Sequence, residues 1–146
     1  MRLLGAILII LGSLAVLARE RETIEQLKAR ADNAAPKDRV ILALRVAERQ
    51  ADAADKFYAA GKVDEARAAI QDVVLYTEKA GDAASQSGKK LKNAEITVRQ
   101  IAHKLNDMKR TLNFEDQAPV DEAIAHLEHV RTELLSKMFD LGKSSQ

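Results

Sequence analysis

No cysteine occurs in the 146 residues, which excludes disulfides, thiol nucleophiles, thiolate metal sites, lipidated cysteine and thioether-linked haem. Tryptophan is absent as well, and aromatic residues make up only 3% of the chain. Prolines number 2 and glycines 6, so interruptions to a regular helix are few. Neither sign of charge dominates. The 23 Lys and Arg stand against 22 Asp and Glu, and a net charge of +1 indicates neither a nucleic-acid nor an acidic partner. What remains is rich in Ala, Leu, Glu, Lys, Arg and Gln, the residues that favour helix over strand. The length suits one domain, and 47% hydrophobic residues supply a core of ordinary size.

The one long apolar run is Leu3 to Ala18, LLGAILIILGSLAVLA, uncharged throughout and preceded by Arg2. Val16-Leu17-Ala18 offers small residues at the spacing of a signal-peptidase site, which would start the mature chain at Arg19. As a helix the run spans roughly 24 Å, short of the ~30 Å hydrocarbon core. Yet Arg19, Arg21, Lys28 and Arg30 follow closely, and basic residues there disfavour translocation. A cleaved export signal and an uncleaved single-span anchor therefore both stay open. A core helix apolar on all sides would need a larger protein around it. Either main reading places the chain in the periplasm or cell envelope, touching membrane only through residues 3–18 if they are retained.

Beyond Ala18 the Gly, Pro and Asn positions divide the chain. A short polar helix and linker fill residues 19–35, the helix running from Glu20 to Asp32 with Ile24, Leu27 and Ala31 on one face. Pro36 suits the first turn of a second helix, which stops at Gly61. A third runs from Val63 to Gly81, and Gly81 to Gly88 (GDAASQSG) reads as a loop in which Asp82 or Ser85 can cap an extra turn. A fourth covers Lys89 to Leu112, with a turn over Asn113 to Ala118. A fifth starts at Pro119 and ends by Gly142, leaving residues 142–146 as a disordered tail.

Periodicity supports these helices. Leu91, Ala94, Val98, Ile101, Leu105, Met108 and Leu112 alternate by three and four, a heptad seam. Val40, Leu44, Ala47, Ala51, Ala54 and Tyr58 do the same in the second helix. So do Val63, Ala66, Ile70, Val73 and Thr77 in the third, and Val120, Ala123, Leu127, Val130 and Leu134 in the fifth. Four such helices over residues 36–141 predict an all-α fold, an antiparallel four-helix bundle of up-down-up-down order. Phe57, Tyr58 and Phe114 should close one end of its core, with Tyr76 and Phe139 at the other near Ile41 and Leu42. The pairs Asp52–Lys56, Glu95–Arg99 and Glu133–Lys137 place the acid four residues before the base, the better orientation on a helix.

Catalytic chemistry finds no support. Ser85, Ser87, Ser136, Ser144 and Ser145 lie in no Gly-x-Ser-x-Gly turn and beside no suitable base. No glycine-rich phosphate loop follows a strand. Asp64-Glu65 and Asp121-Glu122 read as acidic residues at helix starts, where the helix dipole favours them. Glu122, His126, His129 and Glu133 share one strip of the fifth helix, about 130° from its apolar seam. His126 and His129 are thus the candidates for a surface metal site completed by an outside ligand, while the Glu-x-x-His pairs of a two-metal bundle are missing. No catalytic residue, cofactor or built-in metal site is expected.

The fourth helix is basic, and Lys92, Arg99, His103 and Arg110 project opposite its seam. They read as complementary pairing within the bundle, or as a stripe for an anionic surface. KVDEARAAIQDV (Lys62 to Val73) and PVDEAIAHLEHV (Pro119 to Val130) are alike, as if two hairpins used one start signal, with Phe57 and Phe114 ahead of them at the same offset.

The first of these hairpins, over residues 50–78, resembles a single tetratricopeptide repeat. Ala54, Phe57, Gly61 and Ala66 hold that family's small, aromatic, Gly and Ala positions, while Gln50 and Glu78 depart where its opening aromatic and closing Pro belong. A solenoid needs about three stacked repeats, and the chain lacks them. Lys92 to Leu135, a basic seam helix followed by an Asn-x-Glu-Asp turn and Pro-Val-Asp, resembles the C-terminal hairpin of small, uncharacterised exported helical proteins of bacteria. The resemblance implies location and fold without an activity. The expected function is a non-catalytic interaction, scaffold or chaperone-like module with a protein partner. The alternatives are a ligand- or metal-binding bundle and a membrane-anchored, oligomerising helical protein.

Overall fold

A computed structural model describes residues 21–145. The apolar run from Leu3 to Ala18, with its expected cleavage point, lies outside the described residues. Those described form five helices and no strand. None of these helices is long and apolar enough to cross a membrane.

Helix α1 covers Ile24–Asn33 and starts later than the sequence predicts because Thr23 caps it. Thr23 Oγ1 accepts from the Gln26 amide at 3.2 Å, and Gln26 Oε1 accepts from the Thr23 amide at 2.9 Å. This capping box satisfies two otherwise unpaired donors. The other end is held from outside. The Arg39 guanidinium donates to the carbonyls of Ala31 (3.3 Å), Asp32 (3.4 Å) and Ala34 (2.8 Å). A cation there also complements the negative end of the helix dipole.

Helix α2 is Pro36–Ala59, with Pro36 in its first turn. Gly61 takes φ of 73°, and the Lys62 amide reaches back to the Phe57 carbonyl at 2.8 Å, the closing bond of a left-handed helix stop. Helix α3, Val63–Ser87, runs well beyond Gly81. The segment expected as a loop is helical because it has a buried face: Ala80, Gly81, Ala83 and Ala84 are all inside. The real turn is Gly88 to Lys90, both of which adopt φ of 62°. Helix α4 is Leu91–Lys109.

Helix α5, Phe114–Lys143, also departs from the predicted boundaries. Asn113 occupies the N-cap position, the Asp116 amide donates to the Asn113 carbonyl at 2.9 Å, and Gln117 Nε2 holds the Leu112 carbonyl at 3.1 Å. The stretch expected as a turn is therefore the first helical turn and a half. Pro119 falls inside the helix, where it has no N–H for the Glu115 carbonyl. Asp121 and Glu122 consequently lie in the interior of α5, whereas Asp64 and Glu65 do open α3. The two similar stretches are not equivalent helix starts. The far end continues through Gly142, past the predicted stop.

The most extensive packing joins α2 to α3 and α4 to α5, and further contacts join α3 to α5, α1 to α2 and α2 to α4. Side-chain pairs give the directions. Glu95 meets Arg131 while Lys109 meets Asp121, so α4 and α5 are antiparallel. Arg67 meets Asp116 and Glu78 meets His126, so α3 and α5 run parallel. Lys104 of α4 pairs with Asp52 of α2. Helix α1 lies on the first hairpin with Leu27 and Ala31 fully buried, and Lys28 bonds Asp72 of α3 at 2.6 Å.

The seams hold. Every α5 seam residue is buried, as is every α4 seam residue; Leu112, expected to end that seam, lies beyond the end of α4 at Lys109 and is half-buried. In α2 and α3 only the terminal members Tyr58 and Val63 are half-buried. The aromatic residues behave otherwise. Phe114 is 87% exposed and Phe139 70%, so neither closes the core. Because α5 begins at Phe114, that ring stands on its first turn rather than in a loop folded over the end. Phe57 and Tyr58 are half-buried. Tyr76 is buried at the α1–α3 contact, where its hydroxyl donates to Asp32 Oδ2 at 3.2 Å. Of the expected i,i+4 pairs, Glu95–Arg99 is present at 3.6 Å, while Glu133 pairs with His129 instead and Asp52 turns to Lys104.

Candidate functional site

A concavity with a partly apolar floor lies between the parallel helices α3 and α5. It is about 450 Å³ in volume, floored by Ile70, Val74, Leu75, Pro119 and Ala123. Arg67, Gln71, Glu78, Glu122 and His126 form its rim. Its origin is local chemistry. At Gly81 of α3 the missing side chain admits Val130 of α5, and nearer the helix N-termini Ile70 and Val74 line the space between the two helices. Pro119 contributes a flat apolar ring in place of a longer side chain. Leu75 is 44% exposed here, an uncommon position for a leucine flanked on its helix by charge.

The rim is ionic on both sides. His126 Nδ1 lies 3.2 Å from Glu78 Oε1, bridging the two helices over the groove. Arg67 Nη2 lies 3.6 Å from Asp116 Oδ1 at the groove's other end. Apart from Asp116, which is largely covered, these groups are solvent-exposed, so the pairs fix the rim's geometry more than they stabilise the fold. The arrangement suits an apolar side chain or helix face that enters between charged edges. It offers no nucleophile beside a base.

The candidate metal residues do not converge. His126 and His129 both face solvent, one toward Glu78 and the other 3.2 Å from Glu133 of its own helix. Among the described residues no group of three or more His, Asp or Glu is placed to hold a metal ion. The basic stripe on α4 is exposed, but it is partly matched by acids. Arg99 lies 3.6 Å from Glu95 and Arg110 3.8 Å from Asp107, while Lys92 makes no ion pair among the described residues. His103 is exposed beside Asp55, Lys104 and Asp107.

Two polar constellations, one around buried Glu95 and one around the buried ring of Tyr76, serve the architecture. Glu95 is only 8% exposed and accepts from Arg131 Nε at 2.7 Å, tying α4 to α5. Asp32 accepts from Tyr76 and, at 2.6 Å, from Lys79 Nζ, whose ammonium also sits 4.6 Å from the centre of the Tyr76 ring. Burial, reinforced by the Asp32 charge and hydrogen bond, pushes the Tyr76 phenol up to about 12.

The α3–α5 groove escaped the sequence because the seam pattern treats each helix alone. Leu75, an apolar residue on the side of α3 nearly opposite its seam, was the available signal. No family model, no curated protein and no solved structure matches this chain.

Proposed function

We propose that the protein is a non-catalytic interaction module of the bacterial cell envelope that holds an apolar face of a partner protein in the groove between α3 and α5. The carrying observation is the exposed Leu75 on an apolar floor with Ile70, Val74, Pro119 and Ala123, edged by charge on both sides. A concave apolar strip with a polar rim is the usual anatomy of a protein-binding surface. Helices α2 to α5 act in this reading as an antiparallel four-helix bundle of two hairpins, a rigid frame that keeps the groove open. The envelope location is drawn from the Leu3–Ala18 run, which either exports the chain or stays as its anchor.

A photo-crosslinking amino acid placed at Leu75, and separately at exposed Glu48 on α2, tests the groove in cells. The expected result is one discrete adduct from position 75 and none from position 48. That adduct should vanish when Pro119→Glu, at a half-buried groove position, charges the floor while circular dichroism reports an unchanged helix content. Equal labelling from both positions, or none from 75, overturns the proposal.

A further inference from the structure

Three chain features meet at one end of the molecule. The Arg67–Asp116 contact at 3.6 Å sets the first turns of α3 and α5 side by side. The turns that precede them, at Gly61 and at Asn113, therefore share that end. Helix α1 runs in the same direction as α3, since Lys28 meets Asp72 and Asp32 meets Lys79. The chain therefore enters α1 at Thr23 from the side toward that same end. Arg49 Nη1 holds the Glu22 carbonyl at 2.8 Å and fixes the entry point partway down α2, about 15 Å from the helix end at Ala59. A few residues of extended chain, at about 3.3 Å each, cover that distance.

Phe114 stands on this end as the first residue of α5, with Leu112 half-buried behind it. At 87% exposure its ring adds almost nothing to the core. The surrounding charges are mixed. Lys62 and Arg110 are exposed there, but so are Asp64, Glu65, Asp107 and Glu115. The end therefore has no basic patch to draw it to anionic lipid, whereas an exposed apolar ring such as phenylalanine can enter the boundary between headgroups and acyl chains of any bilayer.

We propose that this end faces a lipid bilayer, with the Phe114 ring seated at the boundary between headgroups and acyl chains. The inference rests on the reading of Leu3–Ala18 as a retained membrane segment. One phenylalanine presents too little apolar surface to hold a free protein on a membrane. With Leu3–Ala18 retained in the membrane, it only has to orient a domain already held there. The α3–α5 groove then opens sideways, along a bundle standing upright on the membrane.

The absence of tryptophan makes the test clean, because Phe114→Trp introduces a single fluorophore at an exposed position. Phe139→Trp is the control, also exposed and about 37 Å away along α5. Each full-length variant is reconstituted into phosphatidylcholine vesicles, with and without brominated chains, and flotation confirms attachment. The expected result is that residue 114 emits at shorter wavelength and loses intensity to brominated lipid, while residue 139 does neither. Attached protein with residue 114 unquenched overturns the orientation and leaves the anchor reading standing. Equal quenching at both positions overturns it as well, as does quenching that appears only when phosphatidylglycerol is added. Failure to float with the vesicles removes the anchor reading and the proposal with it.

Discussion

Gly81 of α3 lies against Val130 of α5 so closely that a Cβ on the glycine would sit 2.7 Å from Val130 Cγ1. The missing side chain lets Val130 pack directly against the α3 backbone.

Gly81→Ala tests this contact. Alanine in place of glycine favours a helix by about 1 kcal/mol. Forcing a methyl group into a filled core costs about 1–3 kcal/mol, and here the obstacle is a branched, fully packed valine. The net effect should be a loss of about 1 kcal/mol in urea denaturation. The same change in a Val130→Ala background should be neutral or stabilising, because the obstructing methyl groups are gone. Equal losses in both backgrounds would show that the approach is not what glycine serves.

Thr77 sits in the α3 seam, fully buried, and its hydroxyl has no hydrogen-bond partner among the described residues. Burying such a group unpaired costs about 1–3 kcal/mol. Thr77→Val keeps the branched shape and replaces the hydroxyl with a methyl group. The variant should gain about 1 kcal/mol, read as a higher urea midpoint with unchanged slope. A loss of stability would mean that the hydroxyl is satisfied in solution.

Phe114→Ala should change stability by no more than about 0.5 kcal/mol, as exposed positions do. Leu127→Ala, at a fully buried seam position, should cost about 2–5 kcal/mol. Thermal melts of the two variants side by side separate them. A large loss at Phe114 would place that ring in the core after all.

The seams of α4 and α5 were legible because each depends on one helix alone: apolar residues at three and four must share a face wherever the helix goes. The Gly61 stop was legible for the same reason, as a local need for positive φ. What escaped depends on partners. Gly81 looks like a helix end until Val130 is opposite it, and Pro119 looks like a helix start until Asn113 and Gln117 are seen to organise the preceding turn. The aromatic ends were misjudged because the five-residue shift in the start of α5 moved Phe114 from a closing loop to an exposed first turn. The groove's floor is contributed by two helices whose adjacency no single periodicity encodes.

Alkaline pH should loosen the attachment of α1. The Tyr76 phenol ordinarily titrates near 10.0 and is pushed up to about 12 in the folded chain, first by burial and then by the charge and hydrogen bond of Asp32. Above pH 10 the unfolded chain releases this proton while the folded chain still binds it, so rising pH favours unfolding. The contribution is complete below about pH 10 and is lost as pH climbs toward about 12. Two other groups act in the same direction. Burial pulls the Lys28 ammonium down, but the hydrogen bond and charge of Asp72, with a smaller part from Glu25, outweigh it and leave the pKa above its ordinary 10.5. The Tyr58 phenol is raised by burial and by Asp116. Tyr76→Phe should therefore be less stable than the parent at pH 7 by about 1 kcal/mol, the value of its lost bond to Asp32. Between pH 10 and 12 it should lose less than the parent does, with a remaining slope from Lys28 and Tyr58. Urea midpoints at pH 7, 10 and 11, followed by circular dichroism, give both quantities. Parallel curves for parent and variant would show that Tyr76 does not hold its proton through folding, and that the Tyr76–Asp32 contact is not what ties α1 to α3.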